Sequence, residues 1–389
     1  MYARLLDQVQ QAQIPILDGH EVIALLTSED RQRVLGAVAM DKSRLGDANP
    51  FVVFRAENVV LGTGGPGGIY QSSVYPQGHL GSTGIALEAG AIAQNLTEWQ
   101  YGLASTQFRW NVSGTYQQVI PRYISTADDD GSDPREFLHD YFPDVGKLAT
   151  AVFLKGYQWP FDPRKLADHG SSLVDILVYR ETVQKGRRVF LDFRQNPTDL
   201  DFTDLGNEAY EYLKKSGALF GTPIERLRHM NPMAIELYKE NGIDLETEPL
   251  EIAVCAQHNN GGLRGNIWWE SNLKHLFPIG EANGSHGVYR PGGSALNSGQ
   301  VGGYRAAQYI AHVYRGSSLG HADFLQQIQG QVEDILTLSR KLLAGGKACK
   351  PSMDQVRAAF QKRMTEAGAH IRDRRAVEKA LQEAKEQYD

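Results

Sequence analysis

Cysteine is nearly absent from this 389-residue chain, which carries only Cys255 and Cys349. Two thiols supply neither a disulfide framework nor a metal-ligand pattern. Both are therefore expected as reduced thiols in a cytoplasmic protein with no metal site. A basic excess is missing as well: Lys and Arg total 40 against 46 Asp and Glu, a net charge of −6. Nucleic-acid partners usually demand a basic stripe, so none is expected. No apolar run approaches the ~18 residues that span a bilayer, and the start of the chain does not read as a secretory leader. What remains is an ordinary globular composition, 41% hydrophobic and 22% charged. At roughly 100–200 residues per domain, it suffices for two or three domains with real cores.

Glycine is the one bulk anomaly. The 40 glycines make about a tenth of the chain, against a usual ~7%. They cluster at 62–68, 261–265 and 280–303. Clusters of this kind suit backbone that approaches a ligand or adopts unusual φ, rather than flexible linkers.

Read for periodicity, "EVIALLTSEDRQRVLGAVAMD" is strand, polar turn, strand, and "FVVFRAENVVLGTGG" is a further strand pair ending in a glycine turn. "GSTGIALEAGAIAQ" has helical spacing at Ile85, Leu87, Ala89 and Ile92. From about Glu98 to Glu251 aromatics and charges mix. This stretch includes an acidic loop, "DDDGSDPREFLHDYFPD", helix-like segments over 170–186 and 206–240, and a strand at "RRVFLDFRQNP" between them. Glycine-rich β structure returns at "LEIAVCAQHNNGGLRGN" and "LKHLFPIGEANG", followed by the helix "SGQVGGYRAAQYIAHVYR" and a helical remainder with charged faces.

Four of these strings, in order, resemble the flavoprotein family of fumarate reductase, succinate dehydrogenase and L-aspartate oxidase. "NVVLGTGGPGGIY" is similar to that family's strand and ATGG turn, and "GSTGIALEAGA" to its TGDG helix start. "HNNGGL" is similar to its H-x-x-GGI, and "LFPIGEANGSHGVYRPGGSALNSGQVGG" to its GE…GVHGANRLGGNSL run. The family's opening strand–GxGxxG–helix unit, which holds the FAD pyrophosphate, has no counterpart in this sequence. The resemblance implies an α/β fold: a partial Rossmann-like FAD-binding domain interrupted by an inserted α+β capping domain, with a helical C-terminal tail. The expected divisions are 1–103 and 253–315 for the FAD domain, 104–252 for the capping domain and 316–389 for the tail.

It also implies roles for residues. Thr63, Gly64, Gly65 and Gly84 would bring backbone to the FAD. Gly280 would form the turn that places Glu281 on ribose or ribitol hydroxyls. Gly293, Ser294, Ala295 and Leu296 would lie against the isoalloxazine, with Ala295 departing from the family's G-N-S-L. His258 and Arg290 would bind a substrate carboxylate, for which an arginine fork is well shaped, and His286 would line the same cleft. The sequence departs from the family where chemistry is expected. "LADHG" stands where family reductases carry a proton-donating arginine, leaving His169 or Tyr123 as donor candidates. "STADDDGSDPREFLHD" stands in place of the family's substrate loop. "FRWNVSGTYQQVIPRYIS" is expected to shape an apolar pocket or to be ordinary core.

The expected function is an FAD-dependent oxidoreductase moving hydride between flavin N5 and a small carboxylate-bearing substrate, C=C reduction or the reverse, together with an electron-transfer partner. The alternative is a non-catalytic half-protein, or split-enzyme half, that needs a complementary chain carrying the dinucleotide-binding unit to complete the FAD site.

Overall fold

The computed structural model describes residues 2–47, 49–76, 79–127, 131–314, 319–345 and 351–388. Its fold is mixed α/β. The chain forms two compact units, each assembled from three stretches: 1–65, 82–96 and 261–350 in the first, and 66–81, 97–260 and 351–389 in the second.

In the first unit β1 (His20–Thr27), β2 (Val34–Asp41) and β3 (Phe51–Arg55) make an antiparallel sheet in that order. The polar turn between β1 and β2 is tied by Asp30, whose Oδ1 accepts from Ser28 Oγ at 2.6 Å and from Gln32 N at 3.1 Å. These bonds, Ser28's first, hold the carboxyl below its ordinary pKa. Successive strand residues point to opposite faces, and the sheet uses both. Leu26 and Leu35 pack on Phe324 and Ile328 of the His321–Gly345 helix. Their neighbours Leu25 and Val34 pack with Leu61, Ala86, Leu263 and Leu276. The expected pairing of "FVVFR" with "NVVL" is replaced by two separate roles. β3 pairs with β2, whereas β4 (Val59–Leu61) pairs in parallel with the Leu276–Pro278 strand, Leu61 opposite Pro278.

The second unit is built on a five-stranded antiparallel sheet. Its order is the short Trp110–Asn111 strand, β5 (Trp99–Ser105), β8 (Leu250–Asn259), β7 (Arg188–Asp192) and β6 (Arg122–Thr126). Helices Val145–Leu154, Ser172–Tyr179 and Asn207–Lys215 pack on it through a core that includes Leu103, Val152, Phe153, Val178, Leu191 and Tyr238. The 206–240 segment is three helices rather than one. Pro223 and Pro232 open the second and third at positions where the missing N–H costs nothing. Thr222 and Glu225 close a capping box on the second. The first helix-like segment, 170–186, continues from Tyr179 into a π-turn at Arg180–Gln184.

Arg226, Lys155 and Asp175 are charged side chains inside this core. Arg226 is fully buried and is satisfied by oxygens rather than by a carboxylate. Its Nε and Nη2 donate to Val119 O at 3.1 and 2.8 Å, Nη1 to Phe220 O and Gly221 O at 2.9 and 2.6 Å, and Nη2 also to Asn196 Oδ1 at 2.8 Å. Burial pushes its pKa down to about 10, so the cation persists and pins three chain segments together. Lys155 and Asp175 form an ion pair at 2.6 Å with neither side chain exposed. Burial holds the Asp175 carboxyl above its ordinary pKa even beside the ammonium.

His370 sits between the last two helices, Met353–Ala367 and Arg374–Tyr388. Its ring lies 4.8 to 5.2 Å from those of Tyr179, Phe161 and Tyr101. Both ring nitrogens are buried and make no hydrogen bond among the described residues. Burial, with Arg372 and Lys155 nearby, depresses its pKa to about 3. The folded imidazole is thus neutral at pH values where the unfolded one, near 6.5, takes up a proton. Stability should be unaffected above pH 6.5 and decline as pH falls from there toward 3, by at most ~1.4 kcal/mol per pH unit. Urea midpoints measured across that range should show the decline in the native chain. In His370→Phe, which keeps an aromatic ring but cannot protonate, the slope should be clearly reduced.

The packed units are drawn differently from the expected domains. Residues 66–81 join the second unit, the later boundary falls at 260 because β8 runs on to Asn259, and the helical tail is divided. His321–Gly345 belongs to the first unit and the last two helices to the second. Residues 128–130 of the acidic loop, and Cys349, lie outside the described residues. Cys255 is a buried free thiol, pushed by burial up to about 12, and so inert as a nucleophile.

Candidate functional site

The parallel pairing of β4 with Leu276–Pro278 fixes where two glycine loops emerge. Both strands end at the same side, and Ile279 N donates to Leu61 O at 3.0 Å. Residues 62–65 and 279–282 therefore leave next to each other, from the carboxyl ends of neighbouring parallel strands. That is where ligands bind in open α/β sheets. Thr63 is exposed and Gly64 half-buried on one loop; Gly280 and Glu281, the latter half-buried, begin a 3-10 turn on the other.

The Ser294–Val313 helix lies over the second loop. A Cβ on its Gly299 would sit 3.6 Å from Gly280 Cα, and one on Gly303 3.7 Å from Ile279 Cδ1. The helix starts after Gly293, with Ser294 Oγ donating to Pro291 O at 2.8 Å, Ala295 half-buried and Leu296 exposed. The structure thus brings Thr63–Gly65, Gly280, Glu281 and the 293–296 segment into one unit around one strand end.

The space beside these loops is open. Gly64, Gly280 and Gly293 adopt φ of +72°, +58° and +78°, a region that side chains rarely enter. Cβ atoms built on Gly280, Gly292 and Gly293 would meet nothing within 4 Å. In the same unit the helix Thr83–Glu88 begins beside two buried hydroxyls, Ser82 Oγ and Thr83 Oγ1, that have no hydrogen-bond partner among the described residues. The next residue, Gly84, also faces open space. Buried polar groups are nearly always paired. Orphan hydroxyls and bare glycine backbone together are what a hydroxyl-rich dinucleotide fills, so the residues present fit FAD.

The remaining candidates divide between the two units. Arg290, half-buried in the first unit, donates from Nη1 to Pro291 O at 3.0 Å. His286, four residues before it, is also half-buried. In the second unit His258 is 7% exposed on β8, just after a bulge that shifts the register against β5. Its Nδ1 is 2.9 Å from Asn260 Oδ1. An amide oxygen only accepts, so Nδ1 carries the proton in this arrangement.

His169 lies in a 3-10 turn with φ +55°, its ring 5.9 Å from that of Phe142, while its neighbour Asp168 pairs with Lys147 at 2.8 Å. Tyr123 is unsuited to be a donor. It is buried in the core of the second unit, donates to Gln117 Oε1 at 2.7 Å, and burial raises its pKa well above the ordinary value. Among the described residues no group of three or more His, Cys, Asp or Glu is fit to hold a metal, and no helix is long and apolar enough to cross a membrane.

Sequence reasoning passed over Lys155 and Asp175. The one available signal was a lysine ending the apolar run "LATAVFLK" and an aspartate inside "SLVDILVY", charges where a helix otherwise shows only core residues.

Comparison with known proteins bears on the cofactor and the fold. Residues 1–127 match the family described as FAD binding domain. The chain is 26% identical over 388 residues to one subunit of the fumarate reductase (CoM/CoB) of Methanothermobacter marburgensis, covering 98% of this chain and 59% of that protein. It is 24% identical to L-aspartate oxidase of Vibrio cholerae, covering 76% of this chain and 47% of that one. Among solved structures, the quinol–fumarate reductase of E. coli superposes with a TM-score of 0.63 at 21% identity, over 99% of this chain and 59% of that chain. The chain therefore spans about half to six-tenths of the length of these relatives.

Proposed function

We infer that this chain, an FAD-binding protein with the fold of the fumarate reductase and succinate dehydrogenase flavoproteins, is an oxidoreductase acting on a small carboxylate-bearing substrate. The observation that carries the reading is the pair of glycine loops at the carboxyl ends of β4 and Leu276–Pro278, with open space beside them. Thr63, Gly64, Gly65, Gly84, Gly280, Glu281 and the 293–296 segment are the residues proposed to hold FAD. Bound there, FAD supplies hydride transfer to or from the substrate, and the protein supplies orientation and electrostatics.

Arg290 is proposed to hold the substrate carboxylate. A guanidinium presents two parallel N–H donors to a planar carboxylate, which fixes orientation as well as charge. His258 is proposed as a second contact to the substrate carboxylate, donating from Nε2 when the ring carries both protons. Its tautomer is set by Asn260, and its burial strengthens any bond it makes as charge develops. His169 is the proposed proton donor: its half-exposed imidazole is a group that can give and take a proton. A reducing, cytoplasmic compartment and an electron-transfer partner complete the proposal. The buried free thiol of Cys255 is in keeping with the first. That one relative is a subunit of a larger enzyme is in keeping with the second.

The test begins with a visible spectrum of the purified full chain mixed with FAD. Flavin absorption that stays with the protein through gel filtration is expected; a chain that remains colourless would overturn the flavin reading. On any carboxylate substrate found, Arg290→Ala should lower kcat/KM by ~10²-fold or more, with Arg290→Lys recovering only part because it loses the fork. Unchanged kcat/KM in Arg290→Ala would remove the carboxylate role and leave the flavin reading standing.

A further inference from the structure

The segment "FRWNVSGTYQQVIPRYIS" divides between two tasks. Val112, Tyr116, Val119, Ile120 and Tyr123 are core of the second unit. Beside them lies a cavity of about 510 Å³, wholly within that unit, lined by Trp110, Asn111, Ser113, Thr115, Gln118 and Asn231, with Gly114 and the Tyr116 ring completing it. The volume falls in the range of small-molecule sites.

The lining mixes amides and hydroxyls with an indole and a phenol ring, and holds no ionisable acid or base other than that phenol, in a chain of which 22% is charged. That phenol is already used: Tyr116 donates its hydroxyl to Ala234 O at 3.0 Å. A charged ligand would enter with no counter-ion, which is costly. A wholly apolar one would strand the amides.

The amides are not idle. Asn111 Oδ1 is buried with no hydrogen-bond partner among the described residues, an acceptor left waiting. Gln118 uses Oε1 to accept from Tyr212 at 3.3 Å, which leaves its amide nitrogen to donate. Asn231 Nδ2 donates to Thr115 Oγ1 at 2.9 Å, orienting that hydroxyl, and Ser113 adds another. The lining therefore offers both acceptors and donors, which a ligand hydroxyl can satisfy because it does both.

Trp110 brings an aromatic ring to the same lining. Trp110 is 45% exposed, and its ring stacks on Phe108 at 5.8 Å with planes 8° apart. The indole plane is thus fixed before any ligand arrives and presents a rigid apolar platform at low entropic cost.

We propose that this cavity binds a neutral polyhydroxylated ring, a sugar or cyclitol, with its C–H face on Trp110 and its hydroxyls on Asn111, Ser113 and Gln118. The site stands apart from the flavin reading, and its test is binding heat, which is decided whether or not the chain holds flavin. The probes are D-glucose, maltose and myo-inositol, titrated calorimetrically into the full chain, with D-glucuronate as the charged control.

At least one neutral probe should bind with millimolar Kd or better, and glucuronate more weakly than glucose. Trp110→Ala should weaken binding ~10-fold or more, the loss of ~1.4 kcal/mol of stacking, while its melting temperature stays close to the native value because the indole is half exposed. Asn111→Leu, which keeps the bulk but removes the acceptor, should weaken it as well. Absence of heat with all three neutral probes would overturn the proposal, as would binding to Trp110→Ala indistinguishable from that of the native chain.

Discussion

Replacing Lys155 with alanine should cost ~3–5 kcal/mol of unfolding free energy, the usual penalty for stripping one partner from a buried ion pair. The pair is 2.6 Å apart with both side chains fully buried, and Asp175 Oδ1 has no other bond among the described residues. Without Lys155 the carboxylate either stays charged in the core or takes a proton, and burial already holds its pKa above the ordinary range. The second route sets the sign of a pH effect. In Lys155→Ala the folded state should bind a proton more readily than the unfolded one, so the variant should lose stability as pH rises through the aspartate's range and beyond. Asp175→Ala should be destabilised comparably.

The double variant Lys155→Met/Asp175→Leu, which replaces the ions by apolar groups of similar length, should recover most of the loss, since a buried pair seldom outweighs a well-packed apolar substitute. Urea unfolding of the four proteins measures these costs. A single-variant cost below ~1 kcal/mol would mean that water reaches the pair and that it behaves like one at the surface.

What could be read from the sequence, and what could not, follows from how far apart the partners lie. The strand-to-glycine transitions at "VVLGTGG" and "LFPIGEANG" are local patterns, and both appear as strands running into loops. That they are neighbours is a pairing between residues 59–61 and 276–278, which only the resemblance implied. The same limit explains the strand pair expected within 51–61. Two apolar runs separated by "AEN" look like a hairpin, but β3 is already committed to β2.

The triple helix of 206–240 was legible and passed over, because Pro223 and Pro232 each mark a helix start. The buried charges were not. Nothing near Arg226 in sequence announces that its acceptors are carbonyls at 119 and 220–221, and nothing near His370 announces the rings at 101, 161 and 179. Burial of a polar group is a property of the assembled core, whereas periodicity reports one segment at a time. The aromatic segment, open in sequence between core and apolar pocket, does both: Val112, Tyr116, Val119, Ile120 and Tyr123 serve the core, and the cavity beside them mixes amides and hydroxyls with two rings.

The second large effect concerns the glycine loop itself. Gly280→Val should abolish detectable FAD binding, at least ~10²-fold in Kd, while the chain still folds. Two separate costs fall on that one residue. Its φ of +58° is a conformation that a β-branched side chain adopts only under strain, worth ~1–2 kcal/mol. Its Cβ would also enter space in which no protein atom lies within 4 Å, so the fold has room for the isopropyl group but a cofactor occupying that space does not.

Gly280→Ala separates the two. It carries most of the backbone strain and less of the bulk, so its loss of stability should approach that of valine while its loss of FAD affinity should be smaller. Flavin fluorescence quenching gives Kd, and urea unfolding of the apo chain gives the strain alone. If valine and alanine lowered affinity equally, the effect would be backbone distortion transmitted to Glu281, the next residue of the same turn. If neither lowered affinity, the space beside Gly280 would not be the cofactor's.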